Sequence, residues 1–378
     1  MTPFVFNTTP IIRMGAGEIE TIGTISAAIC KGCALIVTDA GMVQTGIVDR
    51  TETILRRAGL SVKIYNDVVA DPPEAVIQAA ADMAKSCGLV IGLGGGSSID
   101  VAKLAALLAG NGRTLADTYG VNTAMGPRLP LIAIPTTAGT GSEVTPIAIV
   151  TTGAREKMAV VSPLIIPDIA ILDPELTYDL PAHVTAETGI DAMVHAIESY
   201  ASANPNNNPI SRALAKEALR LIGGALERAV TQPHDISARA NMLLGSLLAG
   251  QAFANSPVAA VHALAYPIGG HFKVPHGLSN ALVLTHVLRF NAQKYPDSYA
   301  ALAPHAFPGA PATAKGLIDG LVILSKACGL TQTLHDVGVK KIDLPRLATD
   351  AMKQSRLLVN NPRTVTYDDA VAIYQAAL

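Results

Sequence analysis

Asp191 and His195, in "GIDAMVHAIESY", stand four residues apart, which on a helix puts them on one face one turn apart. Such a pair alone is more often a plain contact on a helix surface. The stretch "HALAYPIGGHFKVPHG", from His262 to Gly277, adds two more donors. His262 lies in an apolar helical run, and His276, between Pro275 and Gly277, falls at an expected helix start. One carboxylate and three imidazoles can surround a divalent ion and leave room for an exogenous oxygen; Fe2+, Mn2+, Zn2+ and Co2+ all suit that donor set. Tyr266 and His271 lie in the same stretch and are candidates for moving a proton. His183, His234, His286, His305 and His335 lack such partners and read as structural or solvated. Glu187 and Glu198 flank the Asp–His pair as supporting or surface groups.

A second chemistry is written in glycines. In "LVIGLGGGSSIDVAK" a buried run delivers Gly94, Gly95 and Gly96 to the start of a helix, with Ser97 following. Glycines let a pyrophosphate approach the backbone, and a helix N-terminus offers free N–H groups with partial positive charge. "PTTAGTGSEVT" follows the next apolar run and crowds Thr136, Thr137, Thr140, Ser142 and Thr145 into one loop, suited to wrapping a phosphate or sugar. Asp39 ends "CALIVTD". A carboxylate at a strand end accepts from ribose hydroxyls and repels a 2′-phosphate, which selects NAD over NADP; as a turn residue it would do neither. "GAGEIE" at Gly15–Glu20 has two glycines of a dinucleotide fingerprint but no clear strand before it, and reads as a turn.

Two kinds of segment must position these groups. Up to about residue 180, β-branched runs alternate with Ala-rich helical stretches: "CALIVTD", "LSVKIYNDV", "LVIGLGGG" and "LPLIAIPT" read as strands between helices, and "IAIVTTG", "KMAVVSP" and "DIAILDP" as added strands. Repeated βα units mean a parallel sheet covered by helices. From about Pro181 the spacing is helical throughout, with "ANPNNNP" as a loop. The expected organisation is an α/β dinucleotide-binding domain over 1–180 and an all-α metal-binding domain over 181–378.

Composition excludes other classes. Hydrophobic residues make up 49% of the 378, charged residues 15%, and Trp is absent, so an aliphatic core is expected. The 28 basic and 30 acidic residues are interspersed, which argues against nucleic acid or an anionic membrane as partner. No apolar run is long enough to span a bilayer, and the N-terminus lacks a signal-peptide pattern. So little charge leaves apolar surface to hide, favouring a homodimer or larger homo-oligomer. Cys30, Cys33, Cys87 and Cys328 read as reduced thiols of a cytoplasmic protein.

The chain resembles the iron-containing (group III) alcohol dehydrogenase family, of the lactaldehyde reductase and 1,3-propanediol dehydrogenase type. Four blocks carry the likeness: "GGGSSIDVAK", "PTTAGTGSEVT", "GIDAMVHAIESYAS" and "HALAYPIGGHFKVPHGLSNALVLTHVLRFN". The resemblance implies an α/β NAD-binding domain and an all-α domain in the dehydroquinate synthase-like architecture, with NAD and Fe2+ as cofactors. It implies metal ligands at Asp191, His195, His262 and His276, and a pyrophosphate loop at Gly94–Ser97 with Asp100 one turn into the helix. It also implies cofactor contacts from Thr136, Thr137, Thr140 and Thr145, Lys157 on the nicotinamide side, and Asp39 favouring NAD. The implied reaction is hydride transfer between NAD(H) and a primary alcohol or its aldehyde, the metal polarising the substrate oxygen. Relatives carry a second histidine four residues after the third ligand; here that position is Tyr266, so the proton path is open between Tyr266, His271 and water. The alternatives on the same fold are a maleylacetate reductase-like reductase or a dehydroquinate synthase-like lyase, which the scarcity of Arg and Lys in the pocket-forming segments disfavours.

Overall fold

The structure, a computed structural model, describes residues 2–153 and 156–378. The chain divides into two compact units. One comprises Asn7–Thr137 and Gly141–Asp179; the other comprises Leu180–Leu378 together with Ala138–Thr140 and the N-terminal residues through Phe6.

Among the described residues, the first unit is built on nine strands: β1 Ile11–Met14, β2 Cys33–Asp39, β3 Ser61–Val68, β4 Leu89–Gly94, β5 Gly120–Val121, β6 Leu131–Pro135, β7 Ile147–Thr152, β8 Glu156–Val161 and β9 Ile169–Leu172. Six form one sheet in the order β1-β9-β6-β4-β2-β3, and every pairing in it is parallel. The central strands read as unbroken apolar runs because both faces are covered. Their period of two then sorts one run into two cores. Leu35, Val37, Val90 and Leu131 pack on one side with Ile77, Val101 and Leu104; Ala34, Ile36, Leu89, Ile91 and Ile132 pack on the other with Ile22, Val48 and Leu55. The covering helices are α1 Ile22–Ile29, α2 Ala40–Gln44, α3 Ile47–Arg57, α4 Glu74–Ala84 and α5 Gly96–Asn111. The three later runs expected as added strands are strands, and "DIAILDP" joins the parallel sheet as β9. β7 and β8 pair antiparallel in a separate three-stranded sheet with β5.

A strand does precede "GAGEIE": β1, four residues long and mostly exposed, at the sheet edge against β9. Its brevity and lack of alternation hide it in the sequence. The glycines after it nevertheless form a turn and no phosphate loop. Gly17 takes φ 73°, and the amides of Gly17 and Ile19 both donate to the buried Asp173 carboxylate at 3.1 Å. Among the cysteines, Cys33 faces Cys87 with the sulfurs 2.8 Å apart, and all four are free thiols.

The second unit is helical: α6 Ala182–Ala201, α7 Pro209–Gly223, α8 Leu226–Thr231, α9 Ile236–Asn255, α10 Ala260–Phe272, α11 His276–Ala292, and further helices at Ala314–Ala327, Leu344–Met352 and Tyr367–Ala377 among others. Asn208 caps α7, accepting from the Ser211 amide at 2.9 Å, so the Asn-rich loop has a structural task. Between α10 and α11 the chain turns sharply. Lys273 adopts φ 57°, and Pro275 sets the start of α11 with His276 as its first residue. Gly277 comes next, and a Cβ there would strike the Glu187 carbonyl of α6. The glycine is what lets the first turn of α11 lie against α6. No described helix is long and apolar enough to cross a membrane.

Candidate metal and cofactor sites

In the helical unit, α6 contributes Asp191 and His195 from one face, α10 contributes His262 from its first turn, and α11 contributes His276 from its first position. Ligand atoms of Asp191, His195 and His262 all lie within 4.8 Å of one another. His262 Nε2 is 3.9 Å and His276 Nε2 3.8 Å from Asp191 Oδ1. The rings of His195 and His262 stack with centroids 4.9 Å apart, and Phe253 stacks on His195 at 4.4 Å. Thus Asp191, His195 and His262 come together as one group, and His276 lies beside them, within reach of Asp191.

Hydrogen bonds at the far side of two rings fix which nitrogen is available. His195 Nδ1 donates to the Gly139 carbonyl at 3.2 Å. His262 Nδ1 lies 2.7 Å from Glu198 Oε2. Glu198 also accepts from the amides of Ala259 and Val261, at 3.0 and 2.7 Å. Burial pushes the Glu198 carboxyl up to about 7, while these amide donors favour its anion. With three N–H groups on two oxygens, the pattern is that of a carboxylate accepting the His262 proton. Both histidines then carry hydrogen on Nδ1 and a lone pair on Nε2, the arrangement of a metal-binding imidazole with a supporting acceptor.

His262 Nε2 is fully buried and has no hydrogen-bond partner. An orphan acceptor facing a buried carboxylate is costly unless a cation sits between them. The protonation states agree. Burial holds His195 below, and His262 well below, the ordinary histidine value, so both rings are neutral. Burial opposes ionisation of Asp191, but the three imidazoles and the Asn280 amide outweigh it and keep the carboxyl below its ordinary value. A carboxylate and neutral imidazoles are the forms a divalent metal requires, and the residues present fit such an ion.

Glu198, which reads as a supporting or surface group, is a supporting one, buried against His262. The sequence reading misses Asn280 in that role. Asn280, one turn after His276, donates to Asp191 Oδ1 at 2.6 Å and lies 3.2 Å from His276 Nε2; its spacing from His276 was the available signal. Tyr266 borders the cluster, its ring centroid 6.5 Å from His262 and 5.9 Å from His276. His271 engages a different partner: its Nε2 lies 2.6 Å from Asp350 Oδ2.

In the sheet unit, β4 ends in Gly94 at φ 144°, where a Cβ would lie 2.8 Å from Ser98 Oγ. Gly95 precedes the sixteen-residue α5, and no side chain caps that helix, leaving its first amides to a ligand. Gly96 and Ser97 open the helix. A Cβ on Gly95 would make only ordinary contact with Thr137, at 3.5 Å, so the close approach that requires glycine in this loop is at Gly94. Asp39 ends the neighbouring β2; its Oδ1 accepts from the Met42 amide at 3.0 Å and its Oδ2 from Ser98 Oγ at 3.3 Å. Asp39 is therefore both a helix cap and a neighbour of the glycine loop. These groups suit a dinucleotide phosphate with a ribose beside it.

Other expected cofactor residues are engaged with protein groups. Asp100 accepts from Ser142 Oγ at 2.6 Å and from the Ile149 amide at 2.9 Å. The fully buried Lys103 donates to Thr145 Oγ1 at 3.0 Å and to the Ile147 carbonyl at 2.8 Å, and burial lowers its pKa to about 8. Asp100 and Lys103 thereby clamp the 142–149 segment to α5; the sequence reading missed Lys103. Thr136 Oγ1 donates to Met42 Sδ at 3.4 Å, Lys157 pairs with Asp71 at 2.7 Å, and Thr140 belongs to the segment that groups with the helical unit.

Comparison with known proteins agrees with this picture. A sequence model described as iron-containing alcohol dehydrogenase matches residues 9–174, and one described as Fe-containing alcohol dehydrogenase family, C-terminal, matches 185–378. Long-chain-alcohol dehydrogenase 1 of Geobacillus thermodenitrificans is 39% identical, over 97% of this chain and 95% of its own. NAD-dependent methanol dehydrogenase of Bacillus methanolicus is 36% identical over 98% of each. A crystal structure of 1,3-propanediol oxidoreductase superposes with a TM-score of 0.95 at 34% identity, covering 100% of both chains.

Proposed function

Because the chain belongs to the iron-containing alcohol dehydrogenase family, we propose that it interconverts primary alcohols and aldehydes by hydride transfer with NAD(H), using Asp191, His195, His262 and His276 to hold Fe2+. The observation that carries this reading is the buried, partnerless His262 Nε2 facing the Asp191 carboxylate. The same donor set also suits Zn2+ or Mn2+. When bound, the iron supplies Lewis acidity and NAD supplies the hydride acceptor.

The chain's own residues do the rest. Glu198 and the Gly139 carbonyl hold two imidazoles in one tautomer, and Asn280 steadies Asp191. Gly94, Gly95, Gly96 and Ser97 take the pyrophosphate at the start of α5, with Asp39 on the adenosine ribose. Asp100 and Lys103 keep the 142–149 segment in place. The low charge fraction and the exposed Ile11 and Ile12 of edge strand β1 support a homo-oligomer, and the free thiols support a cytoplasmic location. An absorbance assay of anaerobically iron-loaded protein with a panel of primary alcohols and aldehydes tests the activity. NADH-dependent reduction of at least one aldehyde is expected, and none across the panel overturns the reading.

Cofactor choice follows from Asp39. NADH is expected to be clearly preferred over NADPH, and Asp39→Gly to narrow the gap by removing the charge that repels a 2′-phosphate. Equal kcat/KM for the two cofactors in the parent would make Asp39 only a helix cap.

Tyr266 is a wall and no base. Burial raises its phenol above the ordinary value, although Arg356 partly offsets this. A raised pKa keeps the phenol neutral to still higher pH, so it contributes no titration below about 10. Tyr266→Phe is expected to keep kcat within about tenfold of the parent, short of the ~10²–10⁴ lost with a general acid–base group, and to leave the pH profile unshifted. A hundredfold loss with metal retained would assign the proton to Tyr266.

A further inference from the structure

The rim of the histidine cluster carries a cation. Tyr266 stands one turn after His262 on α10, close to both His262 and His276. The short helix Ser355–Leu358 packs against α10 and brings the Arg356 guanidinium within hydrogen-bonding range of the Tyr266 hydroxyl. A guanidinium has donors only, so it donates to the phenolic oxygen. Arg356 is exposed, and among the described residues it takes part in no ion pair. Asp350, the nearest acidic residue along the chain, is taken by Lys353 and His271, each at 2.6 Å. Arg356 is therefore a cation beside the cluster, steadied by a neutral hydroxyl, with donors left over.

We propose that Arg356, seated by Tyr266, is a specificity-determining residue that binds a carboxylate at the far end of the substrate. The chain then favours aldehydes that carry a terminal carboxylate over uncharged aldehydes of the same length. A planar fork of N–H donors matches a carboxylate in two-point contact. This inference rests on the alcohol–aldehyde reading; the redox step is unchanged, with hydride passing from NADH to the aldehyde carbon and a proton to its oxygen.

Succinic semialdehyde and butanal, both four carbons long, form the test pair with iron-loaded protein and NADH. In the parent, kcat/KM for the semialdehyde is expected to exceed that for butanal by about tenfold, the low end for a charge-assisted hydrogen bond screened by solvent. Arg356→Met is expected to remove that ratio through the KM of the semialdehyde, and Arg356→Lys to restore part of it. The parent alone gives a second reading: raising the ionic strength should lower kcat/KM for the semialdehyde and leave butanal unaffected. Butanal turned over as well as the semialdehyde, or an identical salt response, overturns the subsite alone. No turnover of either aldehyde by the parent overturns the activity and the subsite with it.

Discussion

The His262→Ala protein is expected to purify with its metal largely lost and to turn over its best alcohol at least about a thousandfold more slowly, the loss of several kcal/mol of charge stabilisation. His262 contributes the one fully buried Nε2 that has no other partner among the described residues, and its Nδ1 is the link to Glu198. Its removal leaves three of four donors and a carboxylate that has lost its imidazole. Metal content by elemental analysis is the decisive reading, because turnover alone does not separate a lost ion from a lost fold. Melting temperatures of parent and variant, both in chelator, report the fold separately. Full metal occupancy in His262→Ala would contradict the assignment, and Asp191→Ala, His195→Ala and His276→Ala stand under the same test.

Glu198→Gln is expected to weaken metal affinity by about 10- to 100-fold, the usual effect of disturbing a group that orients a ligand. Both carboxylate oxygens accept: Oε1 from the Val261 amide, Oε2 from the Ala259 amide and His262. A carboxamide replaces one acceptor by a donor, so an N–H must face another N–H, or the His262 ring must turn and carry its proton on the metal-binding side. Glu198→Ala leaves all three donors unsatisfied, a cost of about 1–3 kcal/mol for each buried group, and is expected to lose stability as well. Titration against a competing chelator reads the affinity without reference to catalysis. With excess metal the Gln variant should regain most of its turnover, since all four ligands are present. Unchanged affinity would leave Glu198 as packing alone.

These two variants show where the sequence is informative. Asp191 and His195 are legible because helical spacing places them on one face, and "VPHG" is legible because proline and glycine together announce the start of a helix that lies tightly on a neighbour. The central strands are legible because burial on both faces leaves unbroken apolar runs. Partnerships between distant residues are not. Glu198 lies 64 residues from His262, and Gly139 lies 56 from His195; no local pattern announces either. The Asp173 carboxylate that fills the "GAGEIE" turn comes from beyond β9. The family resemblance implies Asp100 as a cofactor residue; in the fold its oxygens hold Ser142 and Ile149, partners that lie too far along the chain to be read from it. His271 reads as a neighbour of the metal because it lies between His262 and His276, but it points its Nε2 to Asp350. The pocket-forming segments do read as poor in cations. Arg356 alters that reading from a helix far along the chain, whose packing against α10 has no signature in sequence.

The central claim is that one divalent ion sits among Asp191, His195, His262 and His276. Diffraction data from crystals of the anaerobically iron-loaded chain, collected on either side of the iron absorption edge, address it without any assay. A single strong anomalous peak is expected at bonding distance from an Asp191 carboxylate oxygen and from the Nε2 atoms of the three histidines. A peak elsewhere at full loading, or one that leaves His262 Nε2 without a bond, would contradict it.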